Sequence, residues 1–323
     1  MTPTVSIVIP TFNGEAFLDQ TLASVRKQGF ADWEIIAVDD GSGDGTMDIL
    51  RRNLGDRFRV LQQDHAGAAT ARQRGLDTCQ GRYVVFLDHD DRLAADALER
   101  FVAAMRTDDD LAVAYGDRVF IDPQGRRFGS QRGPLFLHRP SGDVFLAALE
   151  KQFITTPGQA CISVRHLAAT GGALPKLSGI GNDWAMWCLL ATQGGFRFVG
   201  EGPVLEYRQH PDNMTKSFID RARRELNIDE LEPTLRHVFD HPLCREKADA
   251  GRLATAERRR TAHCFAIKGD QYLSAGETGM ARRYFRRSLS LDPGKPRIHA
   301  ALALTFVPRI PGPLRRLMGN YGD

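Results

Sequence analysis

Cysteine is scarce. The 323 residues hold five, an odd number at wide spacing (Cys79, Cys161, Cys188, Cys244, Cys264), and no C-x-x-C occurs. That excludes a disulfide framework and a zinc knuckle and fits a reducing compartment. No stretch reaches the ~18 apolar residues that a membrane-spanning helix needs. Met1-Thr2-Pro3-Thr4 lacks the basic and apolar regions of a secretory signal. A cytoplasmic protein is expected, at most peripheral at the inner face of the membrane. Neither sign of charge dominates: 43 Lys+Arg against 40 Asp+Glu leave +3, too balanced for a dedicated nucleic-acid binder. At 42% hydrophobic and 26% charged the chain is neither disordered nor fibrous. Its length fits about two domains of roughly 150 residues.

The charge is unevenly spread. From residue 221 onward there are 20 Lys+Arg and 12 Asp+Glu, against 23 and 28 before it. The basic C-terminal helices are a candidate for peripheral membrane contact. A solvated helical surface accounts for the same charges.

Val5-Ser6-Ile7-Val8-Ile9 is a β-branched run stopped by Pro10, which reads as a buried strand. Asn13 is placed to cap a helix over about 14–28. Strands follow over 33–38, 58–61 and 83–87, and helices over about 46–54, 66–77 and 94–105. Four strand–helix units predict a parallel sheet with right-handed crossovers. Its ligand crevice then lies beyond the carboxyl ends of the strands. Between 111 and 207, short apolar runs (112–115, 160–164, 196–199, 204–207) alternate with Gly/Pro loops, and a helix is expected over 183–192. Beyond Asn213 the pattern is helical, over 221–239, 254–274, 278–291 and 297–304. Gly269, Ala281, Phe285 and Pro293 resemble one tetratricopeptide-type helix pair, which cannot bury its own face alone. Domains are therefore expected at 1–215 and 216–323. Pro313 to Met318 is short and basic, and reads as a frayed terminus or a surface anchor.

Two acidic clusters sit at strand ends. In Asp88-His89-Asp90, alternation along an extended segment points both carboxylates one way. Paired carboxylates with substrate phosphates are a common seat for Mg²⁺, and Mn²⁺ takes the same ligands. A solvated acidic turn is the plain alternative. In Asp39-Asp40-Gly41-Ser42-Gly43-Asp44-Gly45, the acids can accept from a ring N–H or a ribose hydroxyl, while the glycines allow close approach. Helix capping by Ser42 or Asp44 explains part of the same segment. No Walker loop and no G-x-G-x-x-G follows the first strand.

Val5 to Asn13, Val38 to Thr46, Gly67 to Gly75 with Ala71-Arg72, and Phe86-Leu87-Asp88-His89-Asp90-Asp91 occur in that order. The series resembles the family-2 glycosyltransferases. The resemblance implies an α/β glycosyltransferase-A fold, Rossmann-like, with a mostly parallel central sheet and a C-terminal helical extension. It implies that Pro10 and Thr11 line the nucleotide pocket and that Asp40 accepts from the base, typically uracil. Arg72 would reach the base or diphosphate, Asp88 the ribose, and Asp90 a Mg²⁺ or Mn²⁺ ion. Gln73 stands where the family has Asn.

Gly181-Asn182-Asp183-Trp184 resembles the family's Glu-Asp pair at a helix start, with Asn182 in place of Glu. The resemblance makes Asp183 the catalytic base; a first-turn acid favoured by the helix dipole is the plain reading. Tyr207-Arg208-Gln209-His210-Pro211-Asp212-Asn213-Met214-Thr215 resembles the family's Y-R-x-H-x-x-N-x-[ST] segment, with His210 on the metal or diphosphate. The implied reaction is inverting, metal-assisted transfer of a sugar from a nucleotide-diphospho-sugar, most simply a UDP-sugar. The acceptor is a hydroxyl of a glycan, lipid-linked or protein molecule, with acceptor contacts from 125–180. The Q-x-x-R-W motif and membrane helices of processive synthases do not occur. A nucleotidyltransferase would need a Gly-rich basic loop where Thr11-Phe12-Asn13-Gly14-Glu15 stands. A non-catalytic nucleotide-sugar-binding or scaffold protein of the same fold would accommodate Asn182. Nucleic-acid binding through the basic tail has no aromatic-basic interleaving behind it.

Overall fold

A computed structural model describes residues 2–130, 139–172, 181–213 and 232–306. The chain forms two compact units, residues 1–148 with 152–210, and residues 149–151 with 211–323.

The first unit is built on one nine-stranded sheet. Its first half is β1 (Val5–Thr11), β2 (Trp33–Asp39), β3 (Phe58–Gln62) and β4 (Tyr83–Phe86), alternating with α1 (Leu18–Arg26), α2 (Thr46–Arg52) and α3 (Ala68–Leu76). These four strands pair in parallel in the order β3-β2-β1-β4. Every residue of β1 and β2 is buried, as expected of parallel strands covered on both faces. Between β1 and β4 the winding reverses, so a crevice opens past their carboxyl ends.

The remaining elements are β5 (Arg92–Leu93), α4 (Ala97–Met105), β6 (Leu111–Ile121), β7 (Arg127–Ser130), α5 (Phe145–Glu150), β8 (Ala160–Ser163), α6 (Val164–Ala169), α7 (Asn182–Gln193) and β9 (Gly195–Arg208). Here the sheet is mixed. β8 lies antiparallel between β4 and β6, while β6 and β9 pair in parallel. Alternating side chains of β1, β2 and β4 (Val5, Ile7, Ile9, Ile35, Val85) pack with Leu18, Leu22, Val25, Leu98 and Phe101 into the main core. Truncating a side chain as buried as Phe101 typically costs about 3–5 kcal/mol.

Two local expectations are corrected. Asn13 does not cap α1: its backbone takes a φ of 50°, and its Oδ1 accepts from Gly43 N at 2.9 Å. Thus α1 begins only at Leu18. The runs at 196–199 and 204–207 are one strand, β9, which bends through Glu201 (φ 68°) and Gly202 (φ 118°).

The second unit contains α8 (Glu232–Phe239), α9 (Pro242–Lys247), α10 (Ala250–Ser274), α11 (Thr278–Leu291) and α12 (Pro296–Leu304). Ala266, Leu273, Ala281, Phe285, Ile298 and Ala301 form its core. Gly269 lets α10 and α11 touch, since a Cβ there would stand 2.4 Å from the Phe285 ring. Among the described residues no helix is long and apolar enough to cross a membrane. Met214, Thr215, most of 221–239, Pro313 to Met318, and 131–138 and 173–180 of the expected acceptor segment lie outside the described residues.

Candidate active site

Three strand ends converge at the crevice. Beside β1, Asp40 follows β2, and its backbone N donates to Thr11 O at 2.8 Å. The Asp40 carboxylate is buried and organises the loop before α3. Its Oδ1 accepts from Ala66 N (2.8 Å) and Gln63 Nε2 (2.6 Å), and its Oδ2 from Gly67 N (2.8 Å). Gly41, at a φ of 80°, turns the chain beneath that loop; a Cβ there would meet His65 N at 3.1 Å. Thr11 is buried and donates from Oγ1 to Val38 O. Pro10 is buried too, and its carbonyl faces His89 Nδ1 at 3.3 Å. The residues expected to line a base pocket thus sit at the crevice edge, with the half-exposed ring of Phe12 next to them.

After β4 the chain turns through Asp88, His89, Asp90 and Asp91. Asp88 Oδ1 accepts from Arg72 Nη2 at 2.6 Å. The other arm of Arg72 lies 3.6 Å from Asp183 Oδ1. Arg72 comes from α3 and Asp183 from the first turn of α7, so three distant segments meet on one guanidinium. Burial works against the charge on Arg72, but Asp88, Asp183 and Asp90 outweigh it and hold the group firmly protonated. Burial also raises the Asp183 carboxyl above its ordinary value; Arg72 opposes that rise and Asp88 adds to it. The indole of the neighbouring Trp184 donates to Ala148 O at 2.7 Å and anchors α7. Ala69, Arg72, Phe86, Pro157, Asn182, Asp183 and Met186 line a cavity of about 20 Å³, enough for a single water.

Asp90 Oδ2 lies 3.0 Å from His210 Nε2, just past the end of β9. Burial alone would raise the Asp90 carboxyl, but the hydrogen bond from His210 and the nearby His89 hold it below the ordinary carboxylate range. The turn is fixed from behind by Arg208, which is fully buried. Its Nε donates to Asp90 O (2.8 Å), Nη1 to Pro123 O (2.9 Å), Nη2 to Gln20 Oε1 (2.9 Å), and its backbone N to Asp91 Oδ1 (2.8 Å). Asp91 is wholly buried, and burial together with Asp90 and Asp88 pushes its carboxyl well up.

Among the described residues no group of three or more His, Cys, Asp or Glu is placed to hold a metal. Asp90 offers a hard carboxylate and His210 a borderline imidazole nitrogen side by side. Mg²⁺ and Mn²⁺ sites are often completed by substrate phosphates rather than by an all-protein cage, so this donor pair fits such an ion.

The sequence profile described as glycosyl transferase family 2 matches residues 6–167. The chain belongs to this family. A protein named as a teichuronic acid biosynthesis glycosyltransferase, TuaG of Bacillus subtilis, is 43% identical over 210 residues, covering 64% of this chain and 79% of its own length. The chain spans about half the length of most other curated relatives it matches. Residues 1–349 of Staphylococcus aureus TarS in complex with UDP superpose with a TM-score of 0.63 at 17% identity, covering 98% of this chain and 88% of that fragment. A mannosyltransferase from Pyrobaculum calidifontis, solved with GDP-Man and Mn²⁺, gives 0.59 at 18% identity, covering 98% of this chain and 84% of its own. The fold of this glycosyltransferase is the glycosyltransferase-A fold, an α/β architecture with a helical C-terminal region.

The structure draws Arg72, Asp88 and Asp183 into one cluster of this glycosyltransferase and joins Asp90 to His210. Pro10, Thr11 and Asp40 stand at the adjacent strand ends. Sequence reasoning assigned no role to Asp91, Arg208, Gln63 or His65. Arg208 carried a signal, its place beside His210 in the matched segment. Gln63 and His65 carried none, because only the folded loop brings them onto Asp40.

Proposed function

We propose that this glycosyltransferase moves a sugar from a UDP-sugar to a hydroxyl of a glycan or lipid-linked acceptor, with inversion. The observation that carries the reading is Arg72, held between Asp88 and Asp183 beside the Asp90–His210 pair. A permanent cation beside a buried carboxylate supports a diphosphate site next to a proton acceptor. TarS, bound to UDP, supports the uridine donor, the mannosyltransferase with GDP-Man and Mn²⁺ supports a metal-assisted nucleotide-diphospho-sugar donor in general, and the name of TuaG supports a polysaccharide product.

In this reading Asp183 accepts the proton of the acceptor hydroxyl as that oxygen attacks the anomeric carbon. The C–O bond forms as the bond to the diphosphate breaks on the opposite face. A carboxyl raised by burial is a better proton acceptor than an ordinary Asp. Arg72 limits that rise and gives the departing diphosphate a charged partner. Asp40 receives the base and Asp88 the ribose. A Mg²⁺ or Mn²⁺ ion, held by Asp90 and His210, would neutralise charge that develops on the leaving group. Residues 1–215 are the catalytic domain, and 216–323 a helical extension whose α10–α11 pair is tetratricopeptide-like.

A panel of UDP- and GDP-sugars, followed by release of nucleoside diphosphate, tests the proposal. Release with a UDP-sugar and its loss in Asp183→Asn are expected. Preference for a GDP-sugar would overturn the donor assignment, and an Asp183→Asn enzyme as fast as the wild type would overturn the base.

A further inference from the structure

The ring of His65 lies against Phe12, with centroids 4.1 Å apart and planes inclined by 31°. Its Nδ1 stands 3.0 Å from Asp40 Oδ2 and 3.2 Å from Asp40 O. Both of those atoms only accept, so Nδ1 carries the proton and donates. A flat heterocycle therefore rests on an exposed aromatic ring, with its ring N–H on the Asp40 carbonyl and against the buried carboxylate. A nucleobase with a ring N–H would be recognised by the same two contacts.

Acceptor accounting on Asp40 points the same way. A carboxylate offers about four lone-pair sites. Ala66 N, Gly67 N and Gln63 Nε2 take three, and the fourth, on Oδ2, is covered by the His65 ring, whose Nδ1 stands 3.0 Å away. The two backbone donors cannot leave without unwinding the start of α3. His65 can leave, because its side chain is 59% exposed and nothing but Phe12 and Asp40 holds the ring in the contacts described. We infer that His65 is an internal surrogate for the base: its imidazole fills the base site and swings out when the nucleotide enters. The inference rests on the assignment of Asp40 to the base and adds a competitor to it. Apparent donor affinity is then the intrinsic affinity reduced by the fraction of molecules with the site open.

UMP is the suitable probe, since it reads the base site without a diphosphate. Calorimetric titration of the full chain is expected to show His65→Ala binding UMP roughly five- to tenfold more tightly than the wild type, the effect of one hydrogen bond and one ring contact removed from competition. Equal or weaker binding by His65→Ala would overturn the surrogate, because a His65 that braced Asp40 or touched the base would lose affinity on truncation. The imidazole resonances of His65, assigned by their absence in His65→Ala, are expected to move as UMP saturates; fixed resonances would also overturn it. Asp40→Asn, checked for folding by circular dichroism, separates the two layers. Loss of UMP binding there with an unchanged His65→Ala rejects the surrogate alone, whereas wild-type binding by Asp40→Asn rejects the base assignment beneath it.

Discussion

Arg72 Nη1 stands 3.6 Å from Asp183 Oδ1, while its other arm is hydrogen-bonded to Asp88. The guanidinium is largely shielded from water, with 14% of its side chain exposed. A buried ion pair of this kind is weak evidence for stability. Its effect is on Asp183, whose carboxyl burial raises and Arg72 pulls back toward the ordinary range.

Replacing Asp183 by Asn should lower the rate of transfer by about 10²- to 10⁴-fold, the usual contribution of a positioned general base. UDP binding should survive with little change, because the substitution keeps the shape of the side chain. Steady-state rates paired with calorimetric UDP titration check both halves; a parallel loss of UDP affinity would assign Asp183 to donor binding instead.

The acid side of the pH–rate profile should report Asp183. A base must be deprotonated to act, and burial raises this carboxyl above its ordinary value. Activity should therefore fall, on acidification, at a pH above that value. Arg72 opposes the rise, so Arg72→Gln should move the acid limb further upward in pH. A limb that stays in place in Arg72→Gln would show that another group controls it.

Chelation should abolish transfer, and added Mn²⁺ or Mg²⁺ should restore it. His210→Ala leaves Asp90 with one neighbour fewer, so half-maximal rate should require roughly tenfold more metal, within the range seen when groups that orient a ligand are removed. Undiminished turnover in EDTA would remove the metal from the reaction.

In the second unit, Gly269→Ala sets two effects against each other. Alanine gains up to about 1 kcal/mol in helix propensity. The new methyl would sit 2.4 Å from the ring of Phe285, which is fully buried, and overpacking of that kind costs about 1–3 kcal/mol. The clash should win, with a lower midpoint in urea; a midpoint at or above that of the wild type would mean that α11 shifts at little cost.

Much of the first half of the sheet was legible in the sequence because it is built from short local segments. Alternation of β-branched runs with amphipathic stretches gives β1 to β4 and their parallel order, and that order carries Asp40 and Asp88 to one edge. The second half of the sheet was less legible. Runs at 196–199 and 204–207 are separated by Glu201 and Gly202, which read as a turn; pairing with β6 keeps them in one strand through the bend. Contacts of long range were illegible. Nothing local in Asp40 announces that Gln63, Ala66 and Gly67 will fill its oxygens, and nothing in Asp90 announces a clamp 118 residues away. Asn13 shows the converse error: a residue favoured at helix starts is spent on the loop at Gly43 instead.

Arg208 lies at the end of the last strand of its sheet, yet it holds the peptide carbonyl of Asp90. The order of synthesis thereby enters the chemistry. A nascent chain still lacking β9 already carries β1 through β4 and the acids at their ends, but not the residue that sets the turn between Asp88 and Asp91, nor His210. In the reading proposed above, an unfinished polypeptide on the ribosome thus lacks two residues of the donor site until β9 has been made.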